Sequence, residues 1–204
     1  MPMIIKICGL RRVEDAEMIN KFNEIKYAGF VFAKSKRQIT AERACEIKKH
    51  LRPDIKTVGV FADQSVKEVI DICKRTNIDI CQLHSDEDNE FCSEIKIPVW
   101  KAIRVKDENS IKEAEGYKNI QGFLLDAYSS KERGGTGKIF NWECAKDFSK
   151  RYFTILAGGI NSGNIKRAYE AVKPDVIDLS SAVETEGYKD ITKIKELIDT
   201  IRKD

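Results

Sequence analysis

Short apolar runs alternate with longer charged segments along the chain. Eight of these runs have the length and apolar content of buried β-strands: MIIKIC, YAGFVF, TVGVF, IDICQL, PVWKAI, GFLLD, FTILA and DVIDLS. Each is followed by a segment with the three- and four-residue apolar spacing of an amphipathic helix. These helices are predicted to begin near Arg12, Thr40, Ser65, Asp86, Asn109, Asn141, Ser162 and Asp190.

Two of the predicted helices carry recognisable N-terminal signals. Thr40 precedes AERACEI and has the side chain of an N-cap, and Ser65 and Glu68 have the spacing of a capping box. The segments between the predicted strands are therefore expected to be helices.

Eight strands that alternate with eight helices are typical of a closed (β/α)₈ barrel. A doubly wound open sheet also alternates strands with helices, but it usually has fewer units and a G-x-G-x-x-G motif after its first strand. That motif is absent after IKI, and no Pro-, Gly- or Ser-rich linker divides the chain. We therefore predict an α/β fold in which a single (β/α)₈ TIM barrel domain spans residues 1–204.

Composition narrows the classes of function. Apolar residues make up 42% of the chain and charged residues 34%, as in ordinary globular proteins. The 36 Lys and Arg nearly balance the 33 Asp and Glu, so the net charge of +3 gives no reason to expect nucleic acid binding. No run approaches the roughly 18 apolar residues of a membrane span, and the N-terminus lacks the long apolar region of a signal peptide. We expect a cytoplasmic protein without nucleic acid or membrane partners.

The six cysteines contain no C-x-x-C pair, and the histidines are His50 and His84. Zinc sites need closely spaced ligands of these types, so no metal site is predicted. Disulfides are not expected in a reducing compartment, and most of the thiols are expected to be small buried hydrophobic groups. A chemical role for Cys8 therefore needs further grounds.

The barrel supplies such grounds, because its chemistry lies at the C-terminal ends of the strands and in the loops that follow. Cys8 ends the first strand, and strand alternation places it on the same face as Lys6, pointing into the barrel. A lysine ammonium beside a thiol lowers the pKa of that thiol from about 8.5. Cys8 is therefore either a packed core thiol or a partly ionised base or nucleophile, and the residues alone leave both open.

Two other strand ends carry polar side chains. Asp126 ends the run GFLLD, and His84 follows the fourth predicted strand. The carboxylate is either the anchor of a salt bridge or a proton donor. The imidazole is either a base or a hydrogen-bonded structural group. His50 lies in a basic helical segment and is expected at the surface.

The segments after the last two strands are typical of phosphate binding. LAGGINSGNI contains Gly158 and Gly159, and DLSSAVE contains Ser180 and Ser181. Backbone N–H groups in such turns bind phosphate, and loops seven and eight form the common phosphate site of these barrels. The alternative is that the glycines only form a tight turn. Together these positions predict a phosphorylated small-molecule ligand.

The segment SSKERGGTGK, residues 129–138, superficially resembles a phosphate-binding P-loop. It does not satisfy that motif, because Ile139 follows Lys138 where Ser or Thr is required. Nucleotide hydrolysis is therefore excluded, and the glycines are more consistent with a flexible lid over an active site.

Eight segments together resemble the phosphoribosylanthranilate isomerase family, (β/α)₈ enzymes of tryptophan biosynthesis. They are KICGL, GFVFAKSKRQI, VGVF, QLH, LLD, GGTGKIFNW, LAGGI and DLSSAVE, in family order over nearly the whole chain. The resemblance implies an aldose–ketose isomerase that converts N-(5′-phosphoribosyl)anthranilate to 1-(2-carboxyphenylamino)-1-deoxyribulose 5-phosphate by an Amadori rearrangement.

The resemblance also implies a role for each matching residue. Cys8 would be the general base at ribose C2′, and Asp126 the general acid at the furanose ring oxygen. Arg37 would bind the anthranilate moiety, and His84 would support substrate binding. The phosphate would be held by Gly158, Gly159, Ser180 and Ser181. Neither a metal nor an organic cofactor is implied, because the substrate nitrogen supplies the electron sink.

Three positions depart from the family pattern. Ser85 and Ala182 replace glycine, and Asn141 replaces aspartate. The Cβ of Ala182 restricts backbone approach to the phosphate, which puts the geometry of that loop in question. The alternative functions are another phosphosugar barrel enzyme, such as an indole-glycerol-phosphate synthase or a ribulose-phosphate epimerase, and a non-catalytic phosphate binder. The sequence leaves open whether the chain is a monomer or a homodimer.

Overall fold

Eight parallel β-strands close into a barrel, which confirms the predicted α/β TIM barrel. The computed structural model describes residues 3–127 and 141–203. Each strand pairs with the next one along the chain, and β1 pairs with β8 to close the sheet. The strands are β1 (Ile4–Cys8), β2 (Ile25–Val31), β3 (Lys56–Phe61), β4 (Ile80–Leu83), β5 (Val99–Val105), β6 (Gly122–Ala127), β7 (Thr154–Leu156) and β8 (Val176–Leu179).

Helices connect the strands, and seven of the eight described begin within three residues of the predicted position. The exception is α6, which begins five residues after Asn141 because a 3-10 helix (Trp142–Ala145) comes first. They are α1 (Val13–Ile19), α2 (Ala41–Lys48), α3 (Val66–Thr76), α4 (Asn89–Glu94), α5 (Glu108–Ala114), α6 (Lys146–Ser149), α7 (Ile165–Val172) and α8 (Ile191–Arg202). Thr40 caps α2 by accepting a hydrogen bond from the backbone of Arg43, and Ser65 and Glu68 form the predicted capping box of α3. The placement of all 204 residues in one domain stays a prediction.

Alternation along the strands separates two apolar layers. Ile5 and Ile7 are buried in the large cluster between strands and helices, whereas Lys6 and Cys8 lie on the opposite face, inside the barrel. A second cluster fills the barrel interior: Val58, Ile80, Trp100, Ala102, Leu124, Ile155, Ala157 and Val176. Because this layer fills the barrel below, the residues at the C-terminal strand ends are left to line a cavity.

A hairpin that is absent from the predicted elements follows β8. Its strands, β9 (Glu184–Thr185) and β10 (Tyr188–Lys189), pair antiparallel. Glu186 and Gly187 connect them with φ values of 51° and 79°. Positive φ at both positions is what a type I′ turn requires. The two strands are therefore connected by a two-residue turn.

Side chains from the loop after β1 hold this hairpin in place. The guanidinium carbons of Arg11 and Arg12 each lie 4.4 Å from the centre of the Tyr188 ring, on which they make cation–π contacts. Arg11 also donates hydrogen bonds to the carbonyl oxygens of Gly187 and Lys36, the latter at 2.9 Å. The loops after β1, β2 and β8 are thereby joined at one side of the barrel mouth.

A buried ion pair holds the loop after β4. The side chains of Lys101 and Glu87 are 1% and 7% exposed, and Nζ lies 3.1 Å from Oε2. Both oxygens of Glu87 accept from the backbone N–H of Ser85, and Lys101 donates to the carbonyl oxygen of the same residue. The segment that begins at His84 is therefore tied to β5.

We expect Lys101→Met to lower the free energy of unfolding by about 3–5 kcal/mol, because it leaves the Glu87 carboxylate buried without its counter-charge. Urea unfolding followed by circular dichroism measures this change. Lys101→Met/Glu87→Gln removes both charges and is expected to recover much of the loss. Lys106→Met, the same substitution at an exposed position, is the control. An unchanged unfolding midpoint for Lys101→Met would contradict the role of this pair.

Candidate active site

A cavity of about 490 Å³ opens at the C-terminal end of the barrel. All eight residues singled out from the sequence line it: Cys8, Arg37, His84, Asp126, Gly158, Gly159, Ser180 and Ser181. The structure thus brings together residues from β1, β6 and the loops after β2, β4, β7 and β8. The roles of these residues stay predictions. The predicted lid at 129–138 lies outside the described residues.

Cys8 is the last residue of β1, and its neighbour on β2 is Gly29. A Cβ atom at position 29 would lie 2.9 Å from the Sγ of Cys8 and 2.9 Å from its Cα. Any other residue at position 29 would therefore displace the thiol. Glycine at this position leaves the space that Cys8 occupies, and Cys8 is 8% exposed there.

Lys6 lies on the same face of β1 but is bound to Asp178 of β8. Its Nζ is 2.9 Å from the Oδ2 of Asp178, and the side chain is fully buried. Burial lowers the pKa of Lys6, but the Asp178 carboxylate, together with the thiolate form of Cys8, outweighs this effect and holds that pKa above its usual value. The ammonium is thus a stable charge. Asp178 Oδ1, which has no hydrogen-bond partner within the described part of the chain, belongs to a residue that lines the cavity.

The expected lowering of the Cys8 pKa is wrong in its net direction. Burial raises the pKa of the thiol above its ordinary value, and the Asp178 carboxylate adds to this rise. Lys6 and Lys189 lower the pKa, as expected for cations near a thiol, but they do not compensate for the loss of solvent. Burial and Asp178 therefore favour the neutral thiol over the thiolate at Cys8.

Asp126 projects from the end of β6 and is 5% exposed. The backbone of Gly158, with φ of 84°, runs directly beside it. A Cβ atom at position 158 would lie 2.7 Å from the Oδ1 of Asp126 and 2.6 Å from the backbone nitrogen of Ala127. Glycine is thus required at 158 both by the backbone conformation and by the approach of the carboxylate.

His84 stands between Asp126 and a buried glutamine. Its Nε2 lies 3.5 Å from the Oδ2 of Asp126, and its Nδ1 lies 3.5 Å from the Nε2 of Gln82. Within residues 3–127 and 141–203, neither His84 Nε2 nor Gln82 Oε1 has a hydrogen-bond partner. Both side chains line the cavity, so they are available to a polar ligand. His50, by contrast, is exposed on the surface as expected.

Arg37 lies on the cavity wall and forms a bidentate ion pair. Its Nε and Nη2 donate to the two carboxylate oxygens of Glu184 at 2.8 and 2.7 Å. Lys189 donates to Oε1 of the same carboxylate at 2.7 Å. The hydrogen bonds to Glu184 raise the pKa of Arg37 above its usual value. Burial raises the pKa of Glu184, but its two cationic partners outweigh this effect and hold that pKa below its usual value.

The two glycines after β7 and the two serines after β8 face each other across adjacent strands. Gly158 and Gly159 both have positive φ, and Ser181 begins a 3-10 helix (Ser181–Val183) that also contains Ala182. The hydroxyl of Ser180 donates to the carbonyl oxygen of Cys8 at 3.1 Å. Both loops therefore border the cavity beside the end of β1, and turns of this kind present backbone N–H groups to a phosphate in other proteins.

Sequence reasoning missed three residues that complete the site: Asp178, Glu184 and Lys189. Asp178 interrupts the apolar run of β8, and a lone carboxylate within a barrel strand is the signal that could reveal it. Glu184 has no comparable local signal, because its partner Arg37 lies 147 residues earlier in the chain. Lys189 is 3% exposed although it belongs to a short polar segment.

Comparison with known proteins gives one consistent result. The family model described as N-(5'phosphoribosyl)anthranilate (PRA) isomerase matches residues 5–200. The N-(5'-phosphoribosyl)anthranilate isomerase of Thermoanaerobacter sp. (strain X514) is 45% identical over 199 residues, which cover 97% of each chain. The solved phosphoribosyl anthranilate isomerase of Thermotoga maritima has a TM-score of 0.89 at 34% identity, with 98% of both chains covered. Another solved isomerase, in complex with reduced 1-(o-carboxyphenylamino)-1-deoxyribulose 5-phosphate, has a TM-score of 0.86 at 32% identity and 98% coverage of both chains.

The raised pKa of Cys8 predicts slow alkylation at neutral pH. Iodoacetamide reacts with the thiolate, so the rate of Cys8 modification is expected to have its midpoint at a higher pH in the folded protein than in the same protein unfolded in urea. Mass spectrometry of the Cys8 peptide across a pH series measures this midpoint. Lys6→Met is expected to raise it further, because it removes a cation that favours the thiolate. A midpoint in the folded protein below that of the unfolded protein would contradict the dominance of burial.

Proposed function

The chain belongs to the N-(5'-phosphoribosyl)anthranilate isomerase family, and we propose that Cys8 and Asp126 perform the proton transfers of its reaction. That reaction, in tryptophan biosynthesis, is the Amadori rearrangement of N-(5′-phosphoribosyl)anthranilate to 1-(2-carboxyphenylamino)-1-deoxyribulose 5-phosphate. The observation that carries the assignment is the placement of one thiol and one carboxyl group on separate strand ends of a single cavity. The rearrangement needs a proton donor at oxygen and a proton acceptor at carbon, at two different positions of the sugar.

Asp126 is the proton donor in the first step. Its proton passes to the furanose ring oxygen, the bond between that oxygen and C1′ breaks, and the lone pair of the anthranilate nitrogen forms an iminium ion at C1′. Asp126 is nearly inaccessible to solvent and lies beside His84, with the Gly158 backbone packed against its Oδ1. This packing fixes the direction of the donor, which is the main requirement for efficient general acid catalysis.

Cys8 is the proton acceptor in the second step. The thiolate removes the proton from C2′, and the electron pair of that C–H bond flows toward the iminium nitrogen to give an enol that tautomerises to the ketone. Lys6 and Lys189 both favour the thiolate over the thiol. Burial makes the thiolate scarce in the free protein, but it also makes that thiolate a stronger base than a solvated one.

The two ends of the substrate are expected to bind on opposite sides of these groups. The phosphate is placed on the backbone of Gly158–Gly159 and Ser180–Ser181, where N–H groups are available without a lysine. The anthranilate carboxylate is placed against Arg37, whose guanidinium lies on the cavity wall. This arrangement puts the sugar carbons C1′ and C2′ between Asp126 and Cys8.

One chain supplies every residue of this site, so the proposal holds for a monomer as well as for a homodimer. In the part of the chain that the structure describes, no helix combines the length and the apolar character needed to cross a membrane. The cytoplasm as the place of the reaction stays a prediction.

Purified protein is expected to convert N-(5′-phosphoribosyl)anthranilate without added metal, which is followed as loss of substrate fluorescence. The product and ribulose 5-phosphate serve as control substrates, because an indole-glycerol-phosphate synthase would consume the former and a ribulose-phosphate epimerase the latter. Turnover of the first compound alone is the expected result. No turnover at about micromolar enzyme, a concentration at which ordinary kcat values are easily detected, would contradict the proposed function.

Cys8→Ala and Asp126→Asn are each expected to lower kcat by about 10²–10⁴-fold, because each removes one general acid or base. The fluorescence assay measures kcat, and circular dichroism checks the fold. Cys45→Ala and Asp71→Asn make the same substitutions away from the cavity, on α2 and α3, and are expected to leave kcat unchanged. A Cys8→Ala variant with nearly normal kcat would remove the base assignment.

A further inference from the structure

We propose that Glu184 is a positioning residue that fixes the orientation of Arg37 and thereby sets the preference of the site for a ligand with a carboxylate on its aromatic ring. This inference rests on the proposed function, because it takes the substrate's carboxylate as the partner of Arg37. Glu184 itself does not line the cavity, whereas Arg37 does. It therefore acts on the ligand through the guanidinium.

The bidentate pair determines which edge of Arg37 faces the ligand. Glu184 accepts from Nε and Nη2, which fixes the plane of the guanidinium and not only its position. In the described part of the chain, the guanidinium hydrogen bonds of Arg37 come from Nε and Nη2 and go to Glu184, so Nη1 remains for the ligand. A carboxylate in the cavity is accordingly expected to bind Nη1, while Nε and Nη2 stay hydrogen-bonded to Glu184.

The aliphatic part of Arg37 is fixed as well. A Cβ atom at position 9 would lie 2.6 Å from the Cδ of Arg37, so the side chain lies flat on the backbone of Gly9. The backbone nitrogen of Arg37 donates to the hydroxyl of Ser35 at 3.2 Å. Because its aliphatic part is packed and its guanidinium is paired, Arg37 loses little conformational entropy when a ligand binds, which favours affinity.

The hairpin after β8 holds Glu184 in turn. Lys189 is its register partner across the hairpin and donates to its Oε1 at 2.7 Å, and Lys193 donates to its carbonyl oxygen at 2.6 Å. Lys189 also donates to the carbonyl oxygen of Ser180 at 3.2 Å. Two cations, Arg37 and Lys189, share one carboxylate, so a positive charge is left for an anionic ligand.

The test compares two ligands that differ only in the ring carboxylate. They are reduced 1-(o-carboxyphenylamino)-1-deoxyribulose 5-phosphate and its analogue with an unsubstituted phenyl ring, and isothermal titration calorimetry gives both affinities. Glu184→Gln is expected to weaken the first ligand about tenfold, as for loss of one charge-assisted hydrogen bond, and the second less than about twofold. The ratio of the two affinities is therefore the readout.

This ratio separates positioning from the two competing explanations. A merely structural salt bridge would change both affinities equally when it is broken. A simple charge effect has the opposite sign, because Glu184→Gln removes an anion and would strengthen binding of the carboxylated ligand. An equal loss for both ligands, an unchanged ratio or a gain for the carboxylated ligand each overturns the proposal.

Three variants complete the design. Glu186→Gln makes the same substitution at an exposed position of the same hairpin and is expected to preserve the ratio. In an Arg37→Met background, Glu184→Gln is expected to have no further effect on the ratio, because it acts through Arg37. If Glu184→Gln folds poorly because Lys189 is left buried without its counter-charge, Glu184→Gln/Lys189→Met removes both charges and is expected to show the same loss of ratio.

The outcomes for this inference and for the proposed function are distinguishable. If the wild-type protein neither binds the carboxylated ligand nor turns over the substrate, the proposed function fails, and this inference fails with it. If the wild-type protein turns over the substrate and prefers the carboxylated ligand, but Glu184→Gln keeps that preference, only the positioning role of Glu184 is overturned.

Discussion

The pairing of β1 with β8 closes the barrel, and the site depends on this one contact between distant parts of the chain. The ion pair of Lys6 and Asp178 spans the closure on the inside, 172 residues apart in sequence. Cys8 ends the first of the two strands, and the hydroxyl of Ser180, just past the second, donates to its carbonyl oxygen. The proposed base and the proposed phosphate loop are therefore held by the same pair of strands. A displacement at this closure would move both.

Three of the side chains with proposed roles owe their positions to glycine residues on neighbouring segments. Cys8 occupies space beside position 29, and a Cβ at positions 9 or 158 would collide with Arg37 or Asp126. In each case the nearest heavy atom lies within 3 Å of where a Cβ would be, which real Cβ atoms do not tolerate. Local packing of the backbone, and not only the strand ends, thus aims these groups into the cavity.

How far the sequence predicts this protein depends on whether a feature is local. The strands follow from apolar runs, the start of α3 from the spacing of Ser65 and Glu68, and the inward face of Cys8 from alternation. The net direction of the Cys8 pKa does not follow, because it depends on how deeply the closed barrel buries the thiol and on Asp178 across the closure. The bidentate pair that orients Arg37 is equally non-local.

The buried charges around the cavity are better explained by the chemistry than by stability. Removing an ion pair of this kind in favour of apolar groups is often neutral or stabilising, because desolvation offsets the attraction. Lys6 with Asp178, and Arg37 with Glu184, nevertheless lie beneath and beside a site whose substrate carries a phosphate and a carboxylate. Fixed charges that are desolvated and oriented before the ligand arrives require no reorganisation during the reaction. We therefore attribute these buried pairs to the stabilisation of charge on the substrate beside the proposed acid Asp126 and the proposed base Cys8, rather than to folding stability.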